Sequence, residues 1–379
     1  MDRRTFLSGA SIAAATVATA CGDSTSTGTQ TGTQTGAPAS PAILRGVKQL
    51  RMVTTWPANF PGLGTAANNV AAFANAASGG TLEIRVYAAG ELVSAFEAFD
   101  AVSEGTADMY HGAEYYWQGK SQAFNFFTAV PMGMTATEIM GWVEFGGGQA
   151  LWDELSAQFN IKPFQAGNSG HQMAGWFKRE INTLEDFRGL RMRMPGLGGS
   201  VLRELGAAAV TLSGGEIYPA LQSGAIDATE WVGPWNDLAF GFYREAPYYY
   251  GPGFHEPGSS LGVGINLDVW NSLESDHKAI LKQACWAANN QCLAEFQYQN
   301  ALALDVLVNQ HGVELRHFSN EIWDRIGTIS EQVVADTGNS DAMTRRVYDS
   351  YLAARNSMRS WDRISEMPYM AQRERVLGG

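Results

Sequence analysis

Two eight-residue stretches repeat one pattern, and they constrain the fold more than anything else in the chain. Residues 101–108 read AVSEGTAD and residues 220–227 read ALQSGAID. In each, a helix ends at glycine (Gly105, Gly224), the chain turns, and a strand is entered through aspartate (Asp108, Asp227). The pattern predicts one helix-turn-strand unit used twice, with both strand ends facing a common space. After Asp108 come Tyr115, Tyr116 and Trp117; after Asp227 come Glu230 and Trp231.

The remaining body agrees with an α/β fold. Residues 51–56 and 82–87 are short β-rich runs, and 65–77 between them is alanine-rich with helical spacing. Alternation of this kind predicts a mostly parallel sheet with helices on its faces, and ligands at the carboxyl ends of its strands. A second block, 161–212, contains strands near 174–178, 190–194 and 208–212 and reads as a second α/β lobe inserted between the two copies. Lobe I is then expected over 43–130 and 214–254, and lobe II over 131–213 and 255–274. Two lobes joined by several crossings make a cleft that closes on a small ligand. Residues 275–310 contain no glycine or proline, and Leu281, Cys285, Ala288, Cys292 and Phe296 share one face. At about 1.5 Å per residue this predicts a helix of about 50 Å, long enough to strap both lobes. A strand near 313–318 and further helices, the first capped by Ser319, fill 311–379.

Arg3-Arg4-Thr5-Phe6-Leu7 followed by a small apolar run predicts a twin-arginine export signal over residues 1–20, and hence a periplasmic protein. Cys21 follows Ala18-Thr19-Ala20 where a lipoprotein signal is cut and its cysteine acylated. Residues 22–41, a Thr/Gly/Gln repeat, lack apolar side chains able to nucleate a core and form a leash between the anchor and the body. No segment is apolar for long enough to span a bilayer. Removing the signal takes the formal charge from −12 to −13, which argues against nucleic acid as a partner. An anionic ligand therefore needs a local positive group. Cys285 and Cys292, seven apart on a helix, are about 10 Å apart by helix rise, too far for a bridge, and read as buried thiols.

Six stretches taken together carry a family resemblance: TTWPANFPGLGT (54–65), AEYYWQGK (113–120), GNSGHQMAGWF (167–177), FRGLRMRMPG (187–196), SGGEIYPALQSGAIDATEWVGPWND (213–237) and GFHEPGS (253–259). The chain resembles the solute-receptor subunits of tripartite ATP-independent periplasmic (TRAP) transporters, in the branch that binds 2-oxo acids and lactate with a metal ion. The resemblance implies a type II-like periplasmic binding fold with a long spanning helix, closing over a carboxylate ligand and handing it to separately encoded membrane subunits. It assigns Arg193 to the ligand carboxylate, and the chemistry agrees, since a planar guanidinium offers two parallel donors to a planar carboxylate. Arg191, two residues earlier on the same strand face, lies further from the carboxyl end and reads as a structural or solvated charge.

Gln172, Glu230 and the carbonyl of Trp231 match the positions that hold the metal in this branch, and Glu256 offers a fourth ligand from another loop. A hard cation takes oxygen ligands at roughly 2.3–2.6 Å, and a glutamate followed by a strand-end carbonyl supplies two from adjacent residues. The ion would bridge protein and ligand, which selects acids oxygenated at the second carbon, such as pyruvate, 2-oxobutyrate or lactate. With two glutamates on the ion Ca²⁺ is favoured; with Glu256 turned away Na⁺ becomes reasonable. Trp56, Phe60, Tyr116 and Trp176 are expected as apolar walls, and Asn168 as a donor to the ligand. His171 and His255 flank these residues. None of the six histidines has metal spacing, and no nucleophile elbow or Ser/His/Asp set is present. The chain is therefore read as a binding protein rather than an enzyme. An exported hydrolase using Glu230 or Glu256, and a receptor for another carboxylate such as a dicarboxylate, stand as alternatives. The amphipathic tail from residue 342, with Met343, Val347, Tyr351 and Met358, suits either homodimer contact or packing on the chain's own lobes.

Overall fold

A computed structural model of the protein describes residues 46–378. The export signal, Cys21 and the leash lie outside the described residues. Eleven strands occur among the described residues: β1 (Lys48–Thr54), β2 (Leu82–Tyr87), β3 (Met109–Gly112), β4 (Ile161–Asn168), β5 (Gly175–Phe177), β6 (Arg191–Arg193), β7 (Ala208–Val210), β8 (Ala228–Thr229), β9 (Tyr248–Tyr250), β10 (Ser260–Asn266) and β11 (Glu314–Arg316). They form two sheets, ordered β2-β1-β3-β10-β4 and β7-β6-β8-β5-β9-β11.

The sheets share a plan. In each, three parallel strands are followed by one antiparallel strand contributed from elsewhere in the chain: β2, β1 and β3 with β10, and β7, β6 and β8 with β5. The duplicated stretches occupy the same place in each plan. Asp108 Oδ2 accepts from the Arg51 backbone N–H at 2.7 Å and from Arg51 Nε at 3.1 Å. Asp227 Oδ2 accepts from Arg191 N at 3.1 Å and Nε at 2.9 Å. The aspartate thus clips the entering strand to the start of its parallel neighbour, and Arg191 is a structural charge at the far end from the cleft. Both arginines are about half exposed, so these pairs fix register more than they add stability.

The sheets divide the chain differently from the expected lobes. β4 and β10, expected in lobe II, pair antiparallel and complete the first sheet; β8 and β9, expected in lobe I, belong to the second. Each sheet therefore holds one copy of the repeat, rather than one lobe holding both. The reason lies in the crossings. Besides the long helix that leads from β10 to β11, the chain passes between sheets through residues 169–174 and 251–259, short segments without a change in composition, so nothing local marks the change of partner.

The long helix is present as Ser275–Asn309, 35 residues and so about 52 Å. Leu281, Ala284, Cys285 and Ala288 bury into the first lobe with Val70 and Ala74. Further along, Phe296 meets Trp235 of the second half at 5.3 Å between rings, and Trp235 N donates to Asn300 Oδ1 at 3.0 Å. A side chain at Gly62 would lie 2.5 Å from the Phe296 ring, so glycine permits the close approach of the first lobe to this helix. Cys285 and Cys292 are free, buried thiols, both pushed up to about 12 by burial. No helix among the described residues is long and apolar enough to cross a membrane.

Past β11 the chain is helical. The helix Asn320–Gly338, capped by Ser319 Oγ on Ile322 N at 3.4 Å, packs Ile322, Ile326 and Ile329 into the second lobe. The helix Ala342–Asp362 lies on the first lobe: Val347 and Tyr351 are buried, Tyr351 Oη accepts from Met134 N at 2.7 Å, and Trp142 Nε1 donates to Ser350 Oγ at 3.1 Å. Met343 and Met358 are partly buried against the same core. The tail residues singled out from the sequence therefore pack intramolecularly. The last helix, Glu366–Leu377, buries nothing, and Ile364, Met367, Tyr369, Val376 and Leu377 are each more than 60 % exposed.

Candidate functional site

The site is built from strand ends. Arg193 ends β6 and pairs in register with Thr229 of β8, so Glu230 and Trp231, which follow β8 directly, emerge beside the guanidinium. The crossing segment 169–174 brings Gln172, and 251–259 brings His255 and Glu256. These two segments are knitted together by Gln172 N donating to the Glu256 carbonyl at 3.1 Å and Gly253 N to the Gln172 carbonyl at 2.9 Å. A side chain on Gly253 would sit 2.7 Å from that carbonyl, which requires glycine there. The first lobe contributes Trp56 after β1 and the 3₁₀ turn Glu114–Trp117 after β3. Trp56, Tyr115, Tyr116, Gln172 and Trp231 line a narrow cavity where the two sheets meet.

Arg193 is fully buried. Its Nη1 donates to Glu230 Oε1 at 2.5 Å and to the Glu230 carbonyl at 3.1 Å, and its Nε to the Leu212 carbonyl at 3.2 Å. Its Nη2 has no acceptor among the described residues. The guanidinium carbon lies 5.0 Å from the Trp231 ring centre, within cation–π range. A buried cation with one undirected donor edge is costly unless something else fills that edge.

Several other buried polar atoms are in the same condition. Glu230 Oε2 is without a hydrogen-bond partner and 3.5 Å from His255 Nε2. Gln172 Nε2 donates to Glu256 Oε2 at 2.8 Å and Ser169 Oγ at 3.0 Å, which leaves its Oε1 unpartnered. Asn168 Oδ1 accepts from Gly170 N at 2.8 Å while its Nδ2 is unpartnered. Side-chain atoms of Glu230, His255 and Glu256 lie within 4.8 Å of one another. Burial, and then the neighbouring Glu230 carboxylate, push Glu256 above the ordinary carboxyl range. Burial raises the Tyr116 phenol to about 12 and the Tyr115 phenol well above its usual value, so both stay neutral donors. Two carboxylates and an orphaned amide oxygen form a donor set that fits a hard, oxygen-preferring cation. The imidazole of His255 adds a nitrogen that such an ion does not favour.

The structure thus gathers Arg193, Gln172, Glu230, Trp231 and Glu256 at one place, with Trp56 and Tyr116 on the cavity wall. It does not bring Phe60 or Trp176 to that wall. Phe60 sits behind Trp231, 6.1 Å from its ring and 4.5 Å from that of Phe240. Trp176 faces away from the cavity because it lies on β5, where its ring stacks on Tyr249 at 3.9 Å and its Nε1 donates to Asp237 at 2.9 Å. Sequence reasoning missed Tyr115, which the 3₁₀ turn places on the cavity together with Tyr116, and it gave His255 no role in the charged cluster. Adjacency of His255 to Glu256 in GFHEPGS was the available signal for the latter.

Two α/β lobes that enclose one arginine, two carboxylates and several unpartnered polar atoms define a two-lobed solute-binding protein. Residues 52–341 match the bacterial extracellular solute-binding proteins, family 7, and the chain belongs to that family. It is 40 % identical over 374 residues, 97 % of this chain and 98 % of the other, to a monocarboxylate 2-oxoacid-binding periplasmic protein of Nostoc sp.. Its fold is similar to that of a TRAP periplasmic solute-binding protein from Pseudoalteromonas atlantica solved with bound sodium and pyruvate, with TM-score 0.83, 37 % identity, and coverage of 86 % of this chain and 99 % of that one. A TRAP solute-binding protein from Colwellia psychrerythraea, solved with bound calcium and pyruvate, matches with TM-score 0.83, 38 % identity and the same coverages, 86 % and 99 %.

Proposed function

We propose that this chain is the extracytoplasmic receptor of a TRAP transporter for a small 2-oxo or 2-hydroxy monocarboxylate of the pyruvate and lactate class, bound together with a cation. The observation that carries this reading is the fully buried Arg193, whose Nη2 has no protein acceptor and which shares the cleft with unpartnered oxygens of Glu230 and Gln172. In this reading Arg193 takes the ligand carboxylate, and Gln172, Glu230, the Trp231 carbonyl and Glu256 hold the ion. The ion supplies a positive centre for the carboxylate and the oxygen on the second carbon. Trp56, Tyr115 and Tyr116 exclude water and limit the length of the acid, and Asn168 Nδ2 is a further donor. Glu256 is turned toward Glu230, which favours a divalent ion, Ca²⁺ over Na⁺, by charge balance. Calorimetric titration of pyruvate, 2-oxobutyrate, lactate and a dicarboxylate, with and without chelator, tests the reading. The monocarboxylates should bind, and chelator should weaken them; tight dicarboxylate binding would favour the alternative receptor.

Around this centre the proposal includes export through the twin-arginine route, acylation at Cys21 with the Thr/Gly/Gln leash between anchor and body, and delivery of the ligand to TRAP membrane subunits. It also includes homodimer contact through the exposed apolar residues of the terminal helix Glu366–Leu377.

A further inference from the structure

The peptide unit between Trp231 and Val232 is unusual among its neighbours. The Glu230 carbonyl accepts from Arg193 Nη1 and Thr229 Oγ1, and the Val232 carbonyl accepts from Met173 N at 3.0 Å. No donor among the described residues reaches the Trp231 carbonyl between them. Its N–H side, in contrast, is anchored: Val232 N donates to Asp237 Oδ1 at 3.3 Å. In a trans peptide the carbonyl and the N–H point in opposite directions, so whatever holds one aims the other.

Asp237 is itself held on every side. It sits in the first turn of the helix Pro234–Phe240, only 1 % exposed. Its Oδ2 accepts from Trp176 Nε1 at 2.9 Å and from Tyr249 Oη at 2.7 Å, and those two rings are stacked. Indole and backbone N–H groups donate only, so the arrangement needs an acceptor on both oxygens of residue 237, which a carboxylate provides and an amide does not.

We propose that Asp237 is a positioning residue for the cation: by holding the Val232 N–H it fixes and polarises the Trp231 peptide so that its carbonyl oxygen is presented as a ligand. Trp176 and Tyr249 donate to the other carboxylate oxygen and hold Asp237 in the fold, which accounts for the place of the buried Trp176 away from the cavity wall. The inference rests on the reading of the Trp231 carbonyl as a cation ligand. It places a structural carboxylate behind the ligand oxygens, the outer partner that metal sites commonly carry.

The test uses calcium chloride titrated by calorimetry into chelator-stripped protein in the presence of pyruvate. Wild type should bind calcium and Glu230→Gln should lose most of that binding; if wild type binds none, the underlying reading fails and the inference with it. Given wild-type binding, Asp237→Asn should weaken calcium about 10- to 100-fold, because its amide nitrogen must face either Val232 N–H or the Trp176 indole, a donor opposite a donor. Tyr249→Phe removes one bond on the far oxygen and leaves the oxygen on Val232 N–H in place, so it should lower the melting temperature and cost calcium affinity far less than Asp237→Asn. Equal calcium affinity of Asp237→Asn and wild type overturns the proposal, as does a Tyr249→Phe loss as large as that of Asp237→Asn. A readout independent of variant folding is the Val232 amide nitrogen of the wild type. It should shift downfield on calcium saturation, and an unmoved resonance overturns the proposal.

Discussion

Replacing Arg193 by alanine removes the one guanidinium of the cleft, and the structure allows its effect to be sized. Three of its hydrogen bonds serve the protein, on Leu212 and Glu230, while Nη2 is left over for a ligand. Loss of a charge-assisted bond to the ligand weakens binding by about 1.5–3 kcal/mol. The variant also leaves Glu230 and Glu256, both nearly fully buried, facing an anion without compensation. Truncating one member of a buried, hydrogen-bonded charge pair at a binding surface typically amounts to about 2–5 kcal/mol. Both effects act through the same guanidinium and overlap rather than add, so a loss of about 3–5 kcal/mol is expected, roughly two to four orders of magnitude in affinity. Calorimetric titration of pyruvate with cation in excess reads this directly. Arg193→Lys keeps the charge but lacks the planar fork, so its affinity should fall between the two. Folding must be checked by melting curves, since an unpaired buried Glu230 also destabilises the protein by about 3–5 kcal/mol. A folded Arg193→Ala protein that binds pyruvate within threefold of wild type would refute the placement of the ligand.

Three further outcomes are expected. Glu114 is fully buried, accepting from Tyr110 Oη at 2.8 Å, and burial raises its carboxyl from 4.5 to about 8. Folded protein then holds a proton that unfolded chain releases between those values, so its contribution is complete below about pH 4.5 and is lost as pH rises through about 8. Relative to wild type, Glu114→Gln should gain on the order of 2–4 kcal/mol between pH 5 and pH 8 by urea unfolding, and parallel pH profiles would contradict this. Gly175 has φ +127° and a side chain there would lie 2.5 Å from the Thr229 carbonyl. Gly175→Ala should therefore weaken β5–β8 pairing by about 3 kcal/mol, seen as a lower urea midpoint. Removing residues 364–379 takes away a helix without buried residues. The melting temperature should stay within about 2 °C, while light scattering should report a monomer in place of a dimer; an unchanged mass would exclude this helix as the contact.

The legible parts of the fold were those set by local sequence. The glycine- and proline-free stretch gave the strap helix to within one residue of Ser275–Asn309, and the repeat ending in Asp108 and Asp227 marked two equivalent strand entries. Sheet membership was not legible, because whether β4 pairs with β10 or joins β5 depends on contacts about a hundred residues apart. At the site, the resemblance together with strand position distinguishes Arg193, buried at a strand end, from Arg191, half exposed at a strand start. The site was less legible where backbone direction decides. Strand alternation would put only one of Tyr115 and Tyr116 on the cavity, yet they sit on a 3₁₀ turn and both line it. Trp176 is expected on the apolar wall, whereas β5 turns it onto Tyr249 and Asp237. Asp237 itself looks like any first-turn acidic residue of a helix, and only its three donors reveal more.

A crystal structure of the protein grown with pyruvate and calcium would locate acid and ion together. The acid should lie between the two sheets with its carboxylate on Arg193 Nη2, and an anomalous peak should be bounded by oxygens of Gln172, Glu230, Trp231 and Glu256. Pyruvate bound away from Arg193, or a pyruvate-filled cleft with no ion at those oxygens, would contradict this placement.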